Sequence, residues 1–588
     1  MFRSRHQNYL MILHLLVPAG IAWSGCTGKG KPPMPPADKG PVRSSTAGDL
    51  DVTVAENGWT AERITLATMQ CVERLRNFDH CSCILKEARQ TLSWNDFKAH
   101  PDVHIVGQTE EEVTICEETP EPPPPDTVRA DRQNSPEDPG PAAPTTKSAA
   151  GWTGPQFLKK SNLFNATQPD FTGNGRGQYL AIWKWEQDQK SEIRSRYFDG
   201  DQWQDSLPVD QSGRLSEYPA VAMDDSGRAC AVWQTVRDGM FIIMGNTFTP
   251  GNGWGDPVKM DHQPGVAGHP FITMDADGRG RAVWHQQITP SWSYAVVTSV
   301  CDPVSGAFSP PRVISRDTEV WNLTPRASFG RSGEGIIVWK VTGRNSSLPG
   351  HLVMASVLQE DSWSQPFEVT DAISRSSVKQ VNSAPEIALH DVNVRIDTRG
   401  SAWVVFQNAQ MNYRADRLYR TRIFIARVHL AENRADPAVL LSSGATNAMV
   451  PEVSSNDAGR IMVVWREKDG QRRQTISFAT RDPRSEEWSS AARINPRDLS
   501  TSWYPDLSVD SNGRFIAIWT QWNGERYDIR SATWQDQAWE KTTSLIQQTP
   551  WQGDGSFPQL VSGPDGEVMA IWRQNDGNLQ NIMWSSRR

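Results

Sequence analysis

The sequence predicts a mainly β chain built as a ring of repeated small sheets, and three observations predict it. First, eight units of about 50 residues repeat a proline, a turn with glycine and a buried-type aromatic in strict register. Second, tryptophan is heavily used, 25 residues, beside 43 glycines and 40 prolines, a composition of many aromatics and many turns. Third, the last unit lacks its fourth strand, while an orphan strand precedes the first unit. Together these give an eight-bladed β-propeller over residues 151–588, with seven blades as the fallback if the irregular fifth unit forms none. A small disulfide-linked α+β domain precedes it.

In chain order, residues 1–25 read as an export signal. Arg3, Arg5 and His6 form a basic start, and Leu10 to Trp23 is an apolar run too short to span a bilayer. Ser24, Gly25 and Cys26 then resemble the bacterial lipoprotein signal, in which small residues precede a cysteine that is acylated and becomes the new N-terminus. Trp23 departs from the leucine usual in that family. The resemblance implies palmitate-type acylation of Cys26 and a membrane anchor without a spanning helix. Thr27, where the family places Asp for inner-membrane retention, points to the outer membrane.

Residues 26–50 are a flexible tether rich in Lys, Gly and Pro. Residues 51–118 carry Cys71, Cys81, Cys83 and Cys116, which read as two disulfides of open connectivity in an exported chain. Steps of three and four residues (Ile64, Ala67, Cys71, Leu75; Ile84, Leu85, Ala88, Leu92) mark helices, and DVHIVG with EEVTIC alternates as a short hairpin. Metal is the weaker alternative: His80, His100 and His104 lie nearby, but no paired C-x₂-C is present. Residues 119–150 form a Pro-rich linker that favours an extended spacer. Cys230 and Cys301, far along the chain, read as buried free thiols.

The repeat occupies the rest. Its prolines are Pro169, Pro219, Pro270, Pro325, Pro385, Pro451, Pro505 and Pro558. Fourteen residues after each stands Trp183, Trp233, Trp284, Trp339, Trp465, Trp519 or Trp572; in the fifth unit Phe406 follows after seven extra residues. Glycine stands six residues before each aromatic: Gly177, Gly227, Gly278, Gly333, Gly400, Gly459, Gly513 and Gly566. The proline is expected to open a strand, where a missing N–H is tolerated. Asp or Asn before glycine makes a hairpin whose glycine takes positive φ. Runs such as RFIAIW and GRIMVVW read as strands buried on both faces. A third strand (SEIRSRYF, YDIRSATW) and a fourth (Trp203…Pro208, Trp254…Pro257) complete four strands per unit. Residues 151–160, with Trp152 and Pro155, are the orphan strand that would complete the eighth unit and remove both open edges.

The chain resembles bacterial secreted and surface propellers with a D-x-x-G turn before a buried aromatic, a resemblance that implies a fold and no particular ligand. Sialidase-type propellers carry S-x-D-x-G-x-x-W; here Ser508, Asp510 and Gly513 place the glycine one position late. No G-x-S-x-G, H-E-x-x-H or P-loop is present, and no cofactor or metal is expected. Net charge is −8, which argues against nucleic acid as a partner.

Three lengthened loops after second strands, 285–294, 340–351 and 407–420, bring Trp292, Tyr294, Arg344, His351, Tyr413, Arg414, Arg417 and Tyr419, the residue types that anchor binding surfaces. The expected function is therefore a non-catalytic binding or scaffold module, lipid-anchored in the cell envelope, for an envelope protein or a glycan. A lectin and a secreted glycan hydrolase with a sialidase-like propeller are the alternatives.

Overall fold

A computed structural model describes residues 151–587, apart from 160–162, 188–189, 211–214, 238–239, 262–264, 288–292, 316–319, 344–350, 372, 376–391, 412–418, 444–446, 469–472, 495–500, 541–542 and 545–552. The chain divides into two units, Met1–Val128 and Arg129–Arg588, and everything described belongs to the second. Cys26, Cys71, Cys81, Cys83 and Cys116 lie outside the described residues, as do the segments 1–25, 26–50, 51–118 and 119–150.

The described chain is nearly all antiparallel sheet and propeller-like. In unit 1, Asn165–Gly173 pairs with Tyr179–Gln187, which pairs with Lys190–Phe198, which pairs with Leu207–Pro208. The same up-and-down order recurs in units starting at Ser216, Ala267, Val320, Val392, Ala448, Ser502 and Gly555. A one-residue parallel pairing, Tyr294 with Trp321, joins the sheets of units 3 and 4 into one hydrogen-bonded network, and a parallel bridge links Ser191 of unit 1 to Leu215 at the start of unit 2. In units 1 to 7 the fourth strands are two-residue pieces, which keeps these outer edges too short to template pairing with another chain.

The hairpin after each first strand follows from its side chains. Asp224 Oδ1 accepts the amides of Ser226 and Arg228 at 2.8 and 2.9 Å, and Asp510 Oδ1 accepts those of Asn512 and Arg514 at 3.0 and 2.9 Å. All eight repeat glycines have positive φ, between 73° and 88°, where a Cβ would be strained. Second strands are buried on both faces. Trp183, Trp233, Trp284, Trp339, Phe406, Trp465, Trp519 and Trp572 are fully buried between sheets. Each burial removes about 150–250 Å² from water, worth several kcal/mol at roughly 25 cal/mol/Å². Five of the seven indole N–H groups find an acceptor nearby: Trp284, Trp519 and Trp572 each donate to the Gln two residues on, at 2.8–3.1 Å, Trp465 to Glu467 at 3.2 Å and Trp339 to Asn322 at 2.7 Å, while those of Trp183 and Trp233 have none.

First strands pack against one another from unit to unit, and that of unit 8 packs against that of unit 1. The orphan strand lies where the repeat places it. Gln156–Lys159 pairs antiparallel with Gln580–Arg587, and Trp152 bridges to Arg587. Trp152 is fully buried, its Nε1 donating to Ser531 Oγ of unit 7 at 3.0 Å. One apolar cluster combines Leu158, Ala166, Phe171 and Trp183 with Ile571, Ile582 and Trp584, so the first and last repeat units share a core.

Two expectations are corrected. The proline does not open its strand: strands begin three to five residues earlier, at Asn165, Ser216, Ala267, Val320, Ala448, Ser502 and Gly555. The reason is a bulge. The residue before the proline is left-handed (Gln168, Tyr218, His269, Thr324, Val450, Tyr504 and Phe557, φ 47–55°), and the pairing register shifts there in each unit. The proline's missing N–H falls at the bulge, so no ladder bond is lost. Cys230 and Cys301 are not free thiols. They form a buried disulfide between units 2 and 3, with Cα atoms 6.5 Å apart.

Candidate functional site: the ring of residues before the prolines

The bulge fixes where side chains point. In units 1, 3, 7 and 8 burial alternates just after the proline. Phe171, Val221, Ile272, Ala327, Val394, Val453, Leu507 and Leu560 face the core. The residues one earlier, Asp170, Ala220, Phe271, Arg326, Asn393, Glu452, Asp506 and Gln559, lie on the opposite face of the first strands, which form a continuous circuit. This inner layer is polar and cross-linked. Asp170 Oδ2 accepts the Val221 amide at 2.7 Å, Asp506 Oδ2 the Leu560 amide at 2.6 Å, and Asn393 Nδ2 donates to Glu452 at 2.5 Å. Arg326 sits 5.1 Å from the Phe271 ring and feels the charges of both Glu452 and Asp170. Burial raises the Asp170 carboxyl to about 6, against the backbone hydrogen bonds and the Arg326 charge that lower it.

One step toward the strand starts lies the ring of left-handed residues. Four of the seven carry aromatic or imidazole rings, and neighbours touch. Tyr218 and His269 have centroids 4.8 Å apart, and Tyr504 stacks on Phe557 at 4.1 Å. From His269 the contacts continue to His285 at 5.2 Å and on to Tyr294, also at 5.2 Å. Tyr294 meets Trp321 edge-on at 6.5 Å. Units 2, 3 and 4 thus share an unbroken run of five rings.

In three units the residue after the core aromatic holds this ring in place. Gln234 Oε1 accepts the His269 amide at 3.0 Å, Gln407 Oε1 the Val450 amide at 2.8 Å, and His285 Nδ1 the Thr324 amide at 3.5 Å. The left-handed backbone, costing about 1–3 kcal/mol per residue, persists because neighbouring units fix it. His285 is buried, and burial together with the neighbouring His269 holds it well below the ordinary imidazole range, so it is neutral at pH 7. Its Nδ1 accepts a bond, which leaves the proton on Nε2. Burial also raises the Tyr294 phenol. With Nδ1 taken by the Thr324 amide, the imidazole offers only its Nε2–H as a donor, beside a phenol that can donate or accept.

Of the residues expected to bind a partner, Tyr294 joins the ring run. His351 is held down to about 3 by burial and by Lys340. Tyr419 pairs with Met411 in the strand Tyr419–His429. Trp292, Arg344, Tyr413, Arg414 and Arg417 lie outside the described residues. Sequence reasoning missed Tyr218, His269, His285, Tyr504 and Phe557. Their signal was present: each lies at a fixed offset, immediately before the repeat proline or after the repeat tryptophan.

At the hairpin end of the first strands lies a recess of about 1020 Å³ lined by Asp275, Asp277, Arg279, Glu334 and Asp361. Its carboxylates are partly occupied: Asp275 Oδ1 accepts two turn amides and Oδ2 meets Arg281 at 2.8 Å. Among the described residues no group of three or more His, Cys, Asp or Glu is placed to hold a metal ion.

No protein-family model matches the chain, nor does any curated protein. Solved structures resemble it distantly. A protein of unknown function from Dyadobacter fermentans is 11% identical, aligned over 74% of this chain and 97% of its own, with a TM-score of 0.37. A Hadza microbial sialidase is 13% identical over 60% of this chain and 76% of its own (TM-score 0.32). An ulvan lyase of a polysaccharide lyase family is 9% identical over 72% and 93% (TM-score 0.40).

Proposed function

We propose that the chain is an eight-bladed β-propeller, lipid-anchored in the cell envelope through Cys26, that binds a glycan at the mouth of its axis. The single observation that carries the ligand class is the run Tyr218, His269, His285, Tyr294 and Trp321, contributed by three consecutive units. Rings presented beside one another on rigid strands, with N–H and O–H groups at their edges, suit sugar faces and hydroxyls. Eight repeat units, first strands in a continuous circuit and a core shared by the first and last units support the blade count and its closure. The Cys230–Cys301 disulfide supports an oxidising compartment, in keeping with export. The second strands of units 3, 4 and 5 end at Gln287, Gly343 and Met411, at the same end as the mouth.

Glycan cleavage is the second reading, favoured by the contact of His285 with Tyr294, two side chains of the kinds that serve as acid and base, beside the proposed sugar site. Glycan-array binding of the wild type and of Tyr218→Ala with His269→Ala, run beside an assay for new chain ends, tests both. Binding lost in the double variant without new ends supports a lectin-like module, new ends lost in His285→Gln support cleavage, and no glycan bound or cut removes both.

A further inference from the structure

We infer that the mouth takes an internal stretch of a glycan chain, laid across the axis between two groups of rings, and not a single terminal sugar. The inference rests on the glycan reading and the ring of eight units proposed above, and adds the form of the ligand. The first group is the run from Tyr218 to Trp321, on units 2 to 4. The second is on units 7 and 8. Tyr504 stacks on Phe557 at 4.1 Å, and Trp503 lies 6.2 Å from Tyr504. Trp522 meets Tyr527 edge-on at 5.2 Å. These five stand at the mouth end of their strands. Trp503 and Tyr504 come early in Ser502–Val509 and Phe557 early in Gly555–Ser562, while Trp522 closes Phe515–Trp522 and Tyr527 opens Tyr527–Gln535. In a closed ring of eight, units 3 and 4 stand opposite units 7 and 8. Units 1 and 6 lie between the groups, and there the residue before the proline is Gln168 or Val450, neither with a ring.

The second group is open to a ligand. Trp522 is 36% exposed and is the one aromatic among the exposed large hydrophobics of the described residues. Trp503, Tyr504, Tyr527 and Phe557 are half-buried. A tryptophan left open beside a tyrosine on rigid strands is a surface on which a sugar can stack. Two of the rings are also held from the side: the Arg466 guanidinium is 4.3 Å from Trp503, and that of Arg573 is 4.6 Å from Phe557, the ring that backs Tyr504. Below the rings, side chains enter the axis. Arg326 of unit 4 lies against Phe271 of unit 3 and feels the charges of Asp170 of unit 1 and Glu452 of unit 6. Gln559 of unit 8 donates to the Pro169 carbonyl of unit 1 at 3.1 Å. Side chains from both sides of the circuit therefore meet beneath the mouth. With the axis occupied and rings on opposite sides, a glycan chain lies across the mouth and does not thread it. Sugars within the chain then touch both groups, whereas a terminal sugar would use one and leave the other without a role.

The experiment is calorimetric titration of the full chain in detergent with disaccharides, tetrasaccharides and octasaccharides of xylan, laminarin and polygalacturonate. In at least one series the octasaccharide should bind at least about tenfold more tightly than the disaccharide, because a chain held by the first group presents its other sugars to the second at high effective concentration. Trp522→Ala with Tyr504→Ala should bring the octasaccharide down to the affinity of the disaccharide, and Trp522→Phe with Tyr504→Phe should keep most of the difference. Trp522→Ala alone changes an exposed side chain that the fold does not depend on, and should weaken the octasaccharide at least about threefold. Equal affinity at every length overturns the inference and leaves the glycan reading standing. A length preference that survives Trp522→Ala with Tyr504→Ala also overturns it, since the second group then takes no part. Failure of every saccharide to bind overturns both.

Discussion

Single side chains decide how the inner layer behaves. Asp170 is raised to about 6 from 3.8, chiefly by burial. Because its folded value lies above its unfolded one, its stabilising effect is full below about pH 3.8 and is lost as pH rises through about 6. Asp170→Asn keeps an oxygen for the Val221 amide. It should be neutral at pH 4 and, since solvent reaches the site and screens it, stabilising by about 1–2 kcal/mol at pH 8. Urea unfolding at the two pH values checks this. His285 runs the other way. Its folded value lies below the unfolded one, so stability is full above about pH 6.5 and falls as the solution is acidified. His285→Gln should flatten the acid side of a melting-temperature profile between pH 7 and 5. Gln521→Leu would strand the indole N–H of buried Trp519 and should cost about 1–3 kcal/mol. At this scale the sequence was legible where chemistry is local. Asp or Asn before glycine announces its own turn, whereas the ring contacts of Tyr218 with His269 join units 51 residues apart and follow only once the units are set side by side.

Elements were legible through their periodicity, and misread where a bulge breaks it. RFIAIW announces a doubly buried strand because every one of its last positions is apolar. The proline looked like a strand start because its missing N–H suits one. A left-handed residue before it lets the strand begin earlier, and nothing in Gln168, Thr324 or Val450 as residue types signals positive φ. The Cys230–Cys301 pairing was likewise hidden, since the partners lie 71 residues apart in different units and meet only through packing. Removing it with Cys230→Ser and Cys301→Ser should lower the unfolding free energy by about 2–4 kcal/mol. Thiol titration of the unfolded, unreduced wild type should find neither sulfur free; an unchanged denaturant midpoint in the double variant would show that the bridge adds nothing.

For the whole molecule, closure is the proposal from which the mouth and its ring follow. The sequence led us to expect a strand near residue 156 to join the last unit, and Gln156–Lys159 does pair with Gln580–Arg587. The ligand was not readable, since it depends on which side chains the circuit of first strands brings together. Hydrogen exchange followed by mass spectrometry tests closure directly. Amides of 156–159 and 580–587 should be protected together in the wild type. Deleting 151–159 should release 580–587 to fast exchange and unsettle unit 1 across the core that Leu158 shares with Trp183 and Ile571. Protection of 580–587 that survives the deletion unchanged would contradict the account.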